Sequence, residues 1–193
     1  MRDRSFDSGW NEKWFEERVR GREATFQYVA NFCEEVGCKT VLDVGGGTGL
    51  MRNFLPATIK YDVVDISQKA VSLGRKLFPN VRFIMGDIDN ITNKYDAIIV
   101  LSVIEHMSYY DSFLRTAWDK ANKVIAVSFR NGLNGREEIR PQGKLKDYYD
   151  NRYSIDNMKF WINIELNPAK IEVMKIDVNR NYSPELVLMF WKQ

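Results

Sequence analysis

The sequence predicts a Rossmann-like, doubly wound α/β fold whose mostly parallel, seven-stranded sheet ends in an antiparallel hairpin. Three observations carry that prediction. Short β-branched runs alternate with segments of helical period, the pattern of βαβ units. Four glycines in five positions, within VLDVGGGTGL at residues 41–50, follow the first such run directly. The last two runs, AKIEVMKIDV and ELVLMFWKQ, are joined by NRNYSP with no room for a helix, so they pair antiparallel.

The elements follow in order. Phe26, Val29, Ala30, Cys33 and Val36 recur at helical spacing and mark a first core helix, with Cys33 a small core residue. KTVLDVG, IKYDVVDI, VRFIMGD, YDAIIVLS and KVIAVSF then read as strands, each apolar on both faces as expected when helices cover both sides of a sheet. Ala70, Val71, Gly74 and Leu77 mark a helix ended by Pro79, with Ser67 as its N-cap. Tyr110, Phe113, Leu114, Ala117, Trp118 and Ala121 mark another, and Ser154 caps a helix carrying Ile155, Met158 and Ile162. The glycine loop is expected where the first strand turns into a helix.

A chain of 193 residues is about one domain and buries roughly 70% of its unfolded surface, so it needs no disulfide or metal staple. Hydrophobic residues make up 45% and charged residues 28%, with a net charge of +2, which excludes a disordered chain and offers no basic stripe for nucleic acid. Two cysteines and one histidine cannot build a four-ligand zinc site from Cys and His alone, so no metal is expected. The N-terminal MRDRSFDSGWNEKW lacks a signal-peptide core, and the longest apolar run is too short to span a bilayer, which points to the cytoplasm.

Ligands of open α/β sheets bind at the carboxyl ends of the strands, where the glycine loop lies. Gly45, Gly47 and Gly49 form GxGxG behind Asp43, whereas a dinucleotide fingerprint needs Gly or Ala at the sixth position, here Leu50. No Gly-Lys-Ser or Gly-Lys-Thr follows, so the loop is not a P-loop.

DVGGGTG resembles the first motif of the class I S-adenosylmethionine-dependent methyltransferases, and the likeness continues over about residues 24 to 130. The resemblance implies S-adenosylmethionine as cofactor, with Asp43, Gly45, Gly46, Gly47 and Gly49 at its loop. It puts Asp65, which ends YDVVDIS, on the ribose hydroxyls; Asp62 is the rival, disfavoured because it sits inside the run. It puts Asp87 of MGDID on the adenine amino group, with Ile88 packing on the ring and Ile66 and Leu101 also in contact. YDAIIVLSVIEHM resembles the fourth motif of the small-molecule branch related to ubiquinone-biosynthesis enzymes, in which Glu-His commonly follows this strand. His106 is then a candidate general base, since an imidazole has an ordinary pKa of about 6.5, and Glu105 a candidate support. The alternative is that both merely tie the loop to the sheet. A metal-binding variant of this motif found in some RNA 3'-terminal methyltransferases reads ExxEH; here Ser102 replaces the first glutamate and no second histidine exists.

The expected organisation is one methyltransferase domain: residues 1–23 an N-terminal lid or helix, 24–130 the cofactor-binding core, 131–153 an acceptor loop, and 154–193 a C-terminal helix and hairpin. Within the lid, Trp10, Trp14 and Phe15 alternate with charges, and Arg20 or Arg22 reaches toward the cofactor's carboxylate. The acceptor loop carries Arg136, Arg140, Lys144, Lys146 and Arg152 beside Tyr148, Tyr149 and Tyr153, with acids nearly in balance. A small-molecule acceptor is expected, with nucleic acid and protein acceptors left open. The rivals from other classes are a nicotinamide-dependent reductase, disfavoured by Leu50 and by the lack of Tyr-x-x-x-Lys, and a cofactor-binding module without turnover.

Overall fold

The computed structural model describes residues 22–130, 136–140, 149–176 and 185–192. Its elements run α1 (Glu23–Glu35), β1 (Thr40–Val44), β2 (Lys60–Asp65), α2 (Gln68–Leu77), β3 (Arg82–Met85), β4 (Tyr95–Leu101), α3 (Asp111–Lys120), β5 (Ala121–Arg130), α4 (Ile155–Glu165), β6 (Lys170–Ile176) and β7 (Glu185–Trp191). The seven strands form one sheet in the order β3-β2-β1-β4-β5-β7-β6. The first five pair in parallel, while β7 inserts antiparallel between β5 and β6. This is the expected doubly wound architecture, the order in which strands are added reversing between the parallel neighbours β1 and β4.

Alternation along the strands feeds two separate cores. Val41, Val63, Ile99 and Ala126 face α1 and α2, joining Val29, Cys33 and Val71. Leu42, Val64, Ile98 and Ile125 face α3 and α4, joining Leu114, Met158 and Ile162. The central strands are apolar on both faces because both faces are covered. β6 departs from that pattern: as an edge strand it exposes Lys170 and Lys175, charges that discourage pairing with another chain, and leaves Glu172 half-buried. Both cysteines are free and buried. The caps form as expected, Ser67 Oγ accepting from the Ala70 N–H at 3.2 Å and Ser154 Oγ from the Asn157 N–H at 3.3 Å.

The connection after the glycine loop corrects the sequence reading. Instead of a full helix, β1 leads into one 3₁₀ turn at Leu50–Asn53. Pro56 lies a few residues on, and Arg52 donates to the carbonyls of Ile59, Leu55 and Pro56 at 2.9, 2.5 and 2.6 Å. One guanidinium thus satisfies the carbonyls that a continued helix would have paired internally. At the other end of the sheet α3 stops at Lys120 and β5 begins at Ala121 without a connecting loop.

Residues 1–21 of the expected 1–23 lid, Lys144, Lys146 and Tyr148 of the expected acceptor loop, and the NRNYSP connection of the hairpin at 179–184 lie outside the described residues. Among the described residues no helix is long and apolar enough to cross a membrane.

Candidate functional site

β1, β2 and β4 end side by side, and a cavity of about 340 Å³ opens across their carboxyl ends. One wall is the backbone of Gly45, Gly46 and Gly47. Gly45 has φ +70° and its N–H donates to the Val64 carbonyl at 2.7 Å. A Cβ at this position would lie 2.5 Å from Val103 Cγ2, so both the conformation and the close approach require glycine.

Asp65 ends β2 and is 8% exposed. Its Oδ2 accepts from the Gly47 N–H and its Oδ1 from the Ser67 N–H, each at 2.8 Å. The carboxylate therefore ties the glycine loop to the start of α2 while lining the cavity. Asp62 lies inside the sheet, where Oδ2 accepts from the Tyr95 hydroxyl at 2.7 Å. Of the two acids, Asp65 is the one in the cavity wall.

Asp43 also lines the cavity, on the face of β1 toward Tyr61, whose hydroxyl donates to Oδ2 at 2.6 Å. Burial pushes the Asp43 carboxyl up to about 7; the Tyr61 hydrogen bond opposes this and the nearby Asp65 adds to it. Asp87 lines the same cavity and caps a 3₁₀ turn, accepting from the Asp89 N–H at 3.2 Å. Ile66, Leu101, Ser102, Val103 and His106 complete the wall on the β2 and β4 sides, and Arg22 enters it from the start of α1.

Three expected site residues stand outside this wall. Ile88 is 3% exposed and packs in the core under α3, because the turn capped by Asp87 rotates its side chain inward; the exposed isoleucine at the cavity is Ile66. Gly49 faces the ring of Phe83. Glu105 is buried at 1% exposure beneath the turn that carries His106.

His106 sits in a 3₁₀ turn at Ile104–His106 and donates Nδ1–H to the Tyr149 carbonyl at 2.9 Å. The segment around Tyr149 is tied to the same turn. The Asn151 N–H donates to the Glu105 carbonyl at 2.9 Å, Asn151 Nδ2 to the Met107 carbonyl at 2.7 Å, and the Tyr153 hydroxyl to Met107 at 3.1 Å. Asn151 is fully buried, and burial pushes the Tyr153 phenol up to about 12, which keeps it a donor. A bridge between Glu138 and Arg152 continues this strap. The described part of the expected acceptor loop therefore docks beside the cavity end formed by His106, Met107 and Phe113. Asn151 had no motif to announce it; its position in a polar stretch beside Tyr153 was the only trace.

Among the described residues no group of three or more His, Cys, Asp or Glu side chains is arranged to hold a metal ion.

Residues 42–123 match the family model of the methyltransferase domain. The malonyl-[acyl-carrier protein] O-methyltransferase of Halalkalibacterium halodurans is 29% identical over 106 residues, 47% of this chain and 38% of that protein. The chain spans about a third of the length of the curated relatives it matches. Among solved structures, the magnesium protoporphyrin IX methyltransferase of Synechocystis PCC 6803 with bound S-adenosylhomocysteine superposes with a TM-score of 0.69 at 18% identity, covering 95% of this chain and 89% of that one. The Burkholderia thailandensis 1,6-didemethyltoxoflavin-N1-methyltransferase, solved with bound 1,6-didemethyltoxoflavin and S-adenosylhomocysteine, gives a TM-score of 0.69 at 13% identity, covering 94% of this chain and 81% of that one. The chain shares their fold.

Proposed function

We propose that this chain is an S-adenosylmethionine-dependent methyltransferase acting on a small-molecule acceptor. The observation that carries the proposal is the meeting of Asp65 and the Gly45–Gly47 backbone in one cavity wall where the sheet order reverses. The methyltransferase-domain match over residues 42–123 and the adenosyl compounds named with the structural neighbours agree with it.

The cavity suits the cofactor on its own terms. The glycine backbone presents a wall without side chains, and acids line the end near β2 and β3. Asp65 would hold the ribose hydroxyls, Asp87 the adenine amino group and Arg22 the amino-acid carboxylate. When bound, the cofactor supplies a methyl group that is already electrophilic, so the protein's main task is alignment. Val103, Met107 and Phe113 line the acceptor end with apolar surface that excludes water. If the acceptor must lose a proton, His106 receives it at Nε2, because Nδ1 already carries a hydrogen directed at Tyr149. The strap formed by residues 136–140 and 149–153 is the proposed acceptor-selecting element. A small molecule fits this arrangement, since the acceptor end is part of the same cavity of about 340 Å³.

Thermal unfolding with S-adenosylmethionine, S-adenosylhomocysteine and NADH added separately tests the proposal. At about a hundredfold excess over the dissociation constant, each adenosyl compound should raise Tm by roughly 5 °C or more, and NADH should not. A shift with NADH alone would replace the methyltransferase reading with a reductase.

A further inference from the structure

Glu185 opens β7 opposite Arg130, the last residue of β5, and so stands at the same carboxyl edge of the sheet as the cavity. It is 4% exposed, and its carboxylate accepts three hydroxyl hydrogen bonds. Thr25 Oγ1 donates to Oε2 at 2.7 Å, while Ser102 Oγ and Ser128 Oγ donate to Oε1 at 2.8 and 2.5 Å. One buried acid thus joins α1, the turn after β4, β5 and β7. Buried carboxylates with such complete partnering are strong organising centres, because breaking any one link leaves a polar atom stranded.

Ser102 is the link with a consequence. It has φ +52°, a left-handed conformation that a serine adopts only when its surroundings impose it. Its hydroxyl is held by Glu185, and its N–H is shared between the Ser128 carbonyl at 3.2 Å and the Ser128 hydroxyl at 3.0 Å. The residue that follows, Val103, is the one whose methyl would meet a Cβ at Gly45. Ser102, Val103 and Gly45 all line the cavity, whereas Glu185 does not.

We propose that Glu185 is a positioning residue for the cofactor loop, acting through Ser102 to set where Val103 rests on the backbone of Gly45. The C-terminal hairpin thereby determines the spacing between the ends of β1 and β4, the two walls between which the ligand lies. This inference rests on the reading of the cavity as the cofactor site.

The test is calorimetric titration of S-adenosylhomocysteine into the wild type, Glu185→Gln, Ser102→Gly and the double variant, with urea unfolding to confirm that each is folded. Glutamine keeps the size of the side chain but cannot accept all three hydroxyls, and should weaken binding about tenfold, within the couplings seen inside one hydrogen-bond network. Glycine at 102 adopts the left-handed conformation freely and removes the hydroxyl, so adding Glu185→Gln to it should change affinity by no more than about twofold. Wild-type affinity in Glu185→Gln, or additive losses in the double variant, would overturn the proposal. In the ligand-free protein the amide resonances of Gly45 and Gly47 should move in Glu185→Gln, and unmoved resonances would overturn it as well. Failure of the wild type to bind S-adenosylhomocysteine would count against the cofactor reading alone, and the amide resonances would still decide the role of Glu185.

Discussion

His106 donates its Nδ1–H to the Tyr149 carbonyl at 2.9 Å, although the two residues are 43 positions apart. A carbonyl has no hydrogen to give, so this contact fixes the tautomer: the proton sits on Nδ1, and Nε2 carries the basic lone pair. His106 is the chain's single histidine, so a long-range proton–nitrogen spectrum shows one imidazole only. That imidazole should be protonated at Nδ1 in the neutral form. A spectrum with the hydrogen on Nε2 would contradict the arrangement. In Asn151→Ala, which removes one of the two ties to the Met107 carbonyl and leaves that of the Tyr153 hydroxyl, the two tautomers should mix. His106→Ala should lower turnover about 100-fold or more and leave cofactor affinity near the wild type, and full activity would reduce the imidazole to scaffolding.

Asp65→Ala should weaken S-adenosylhomocysteine binding by roughly 1 to 3 kcal/mol, the consequence of leaving polar groups unpartnered. From the motif alone such a variant would leave the fold intact. The structure changes that expectation, because the same carboxylate accepts from the amides of Gly47 and Ser67. Two N–H groups lose their acceptor, so the variant should also unfold at lower urea concentration. Asp65→Asn retains one acceptor oxygen and should fall between the two in both measurements. Unchanged affinity by calorimetry would remove Asp65 from the ligand site.

Gly45→Ala should abolish tight binding of S-adenosylhomocysteine for two separable reasons. The added Cβ would lie 2.5 Å from Val103 Cγ2, and φ +70° strains any residue with a Cβ by about 1–2 kcal/mol. Val103→Ala removes both γ-methyl groups and thus the overlap, but not the strain. The double variant should therefore recover part of the lost stability and affinity relative to Gly45→Ala. No recovery would mean that the backbone conformation, rather than Val103, sets the requirement.

These residues also show how far the sequence could be read. Short apolar runs alternating with segments of period 3.6 announced the sheet and its helices, because burial on both faces leaves a continuous apolar run in each central strand. The place of Asp65 at the cavity wall was legible because a strand end and a helix cap, Ser67, bracket it within three positions. Ile88 was not, since the motif gives its position but not the direction in which a capped 3₁₀ turn points its side chain. The short connection after the glycine loop depends on Arg52 reaching three carbonyls, a tertiary arrangement with no local signature. Glu185 is the extreme case: its partners Ser102 and Thr25 lie 83 and 160 positions away, and only the folded sheet brings them together.

Asp43 should make stability depend on pH in the direction opposite to most surface acids. It is buried against Tyr61, and burial raises its carboxyl from an ordinary value of 3.8 to about 7. In the unfolded chain the group loses its proton near pH 4, while in the folded chain it keeps it until about pH 7. Between those values the folded state binds more protons, so the stabilising contribution is full below pH 4 and declines as pH rises, levelling off above about 7. The full span is on the order of 4 kcal/mol. Asp43→Asn keeps an acceptor for the Tyr61 hydroxyl and does not titrate, and other groups cancel when the two proteins are compared at each pH. The stability of the variant minus that of the wild type, from urea unfolding, should increase from pH 4 to pH 7 and then flatten. A difference independent of pH would mean that Asp43 is ionised in the folded protein throughout, in which case the wall behind the glycine loop carries a fixed negative charge rather than a neutral acid.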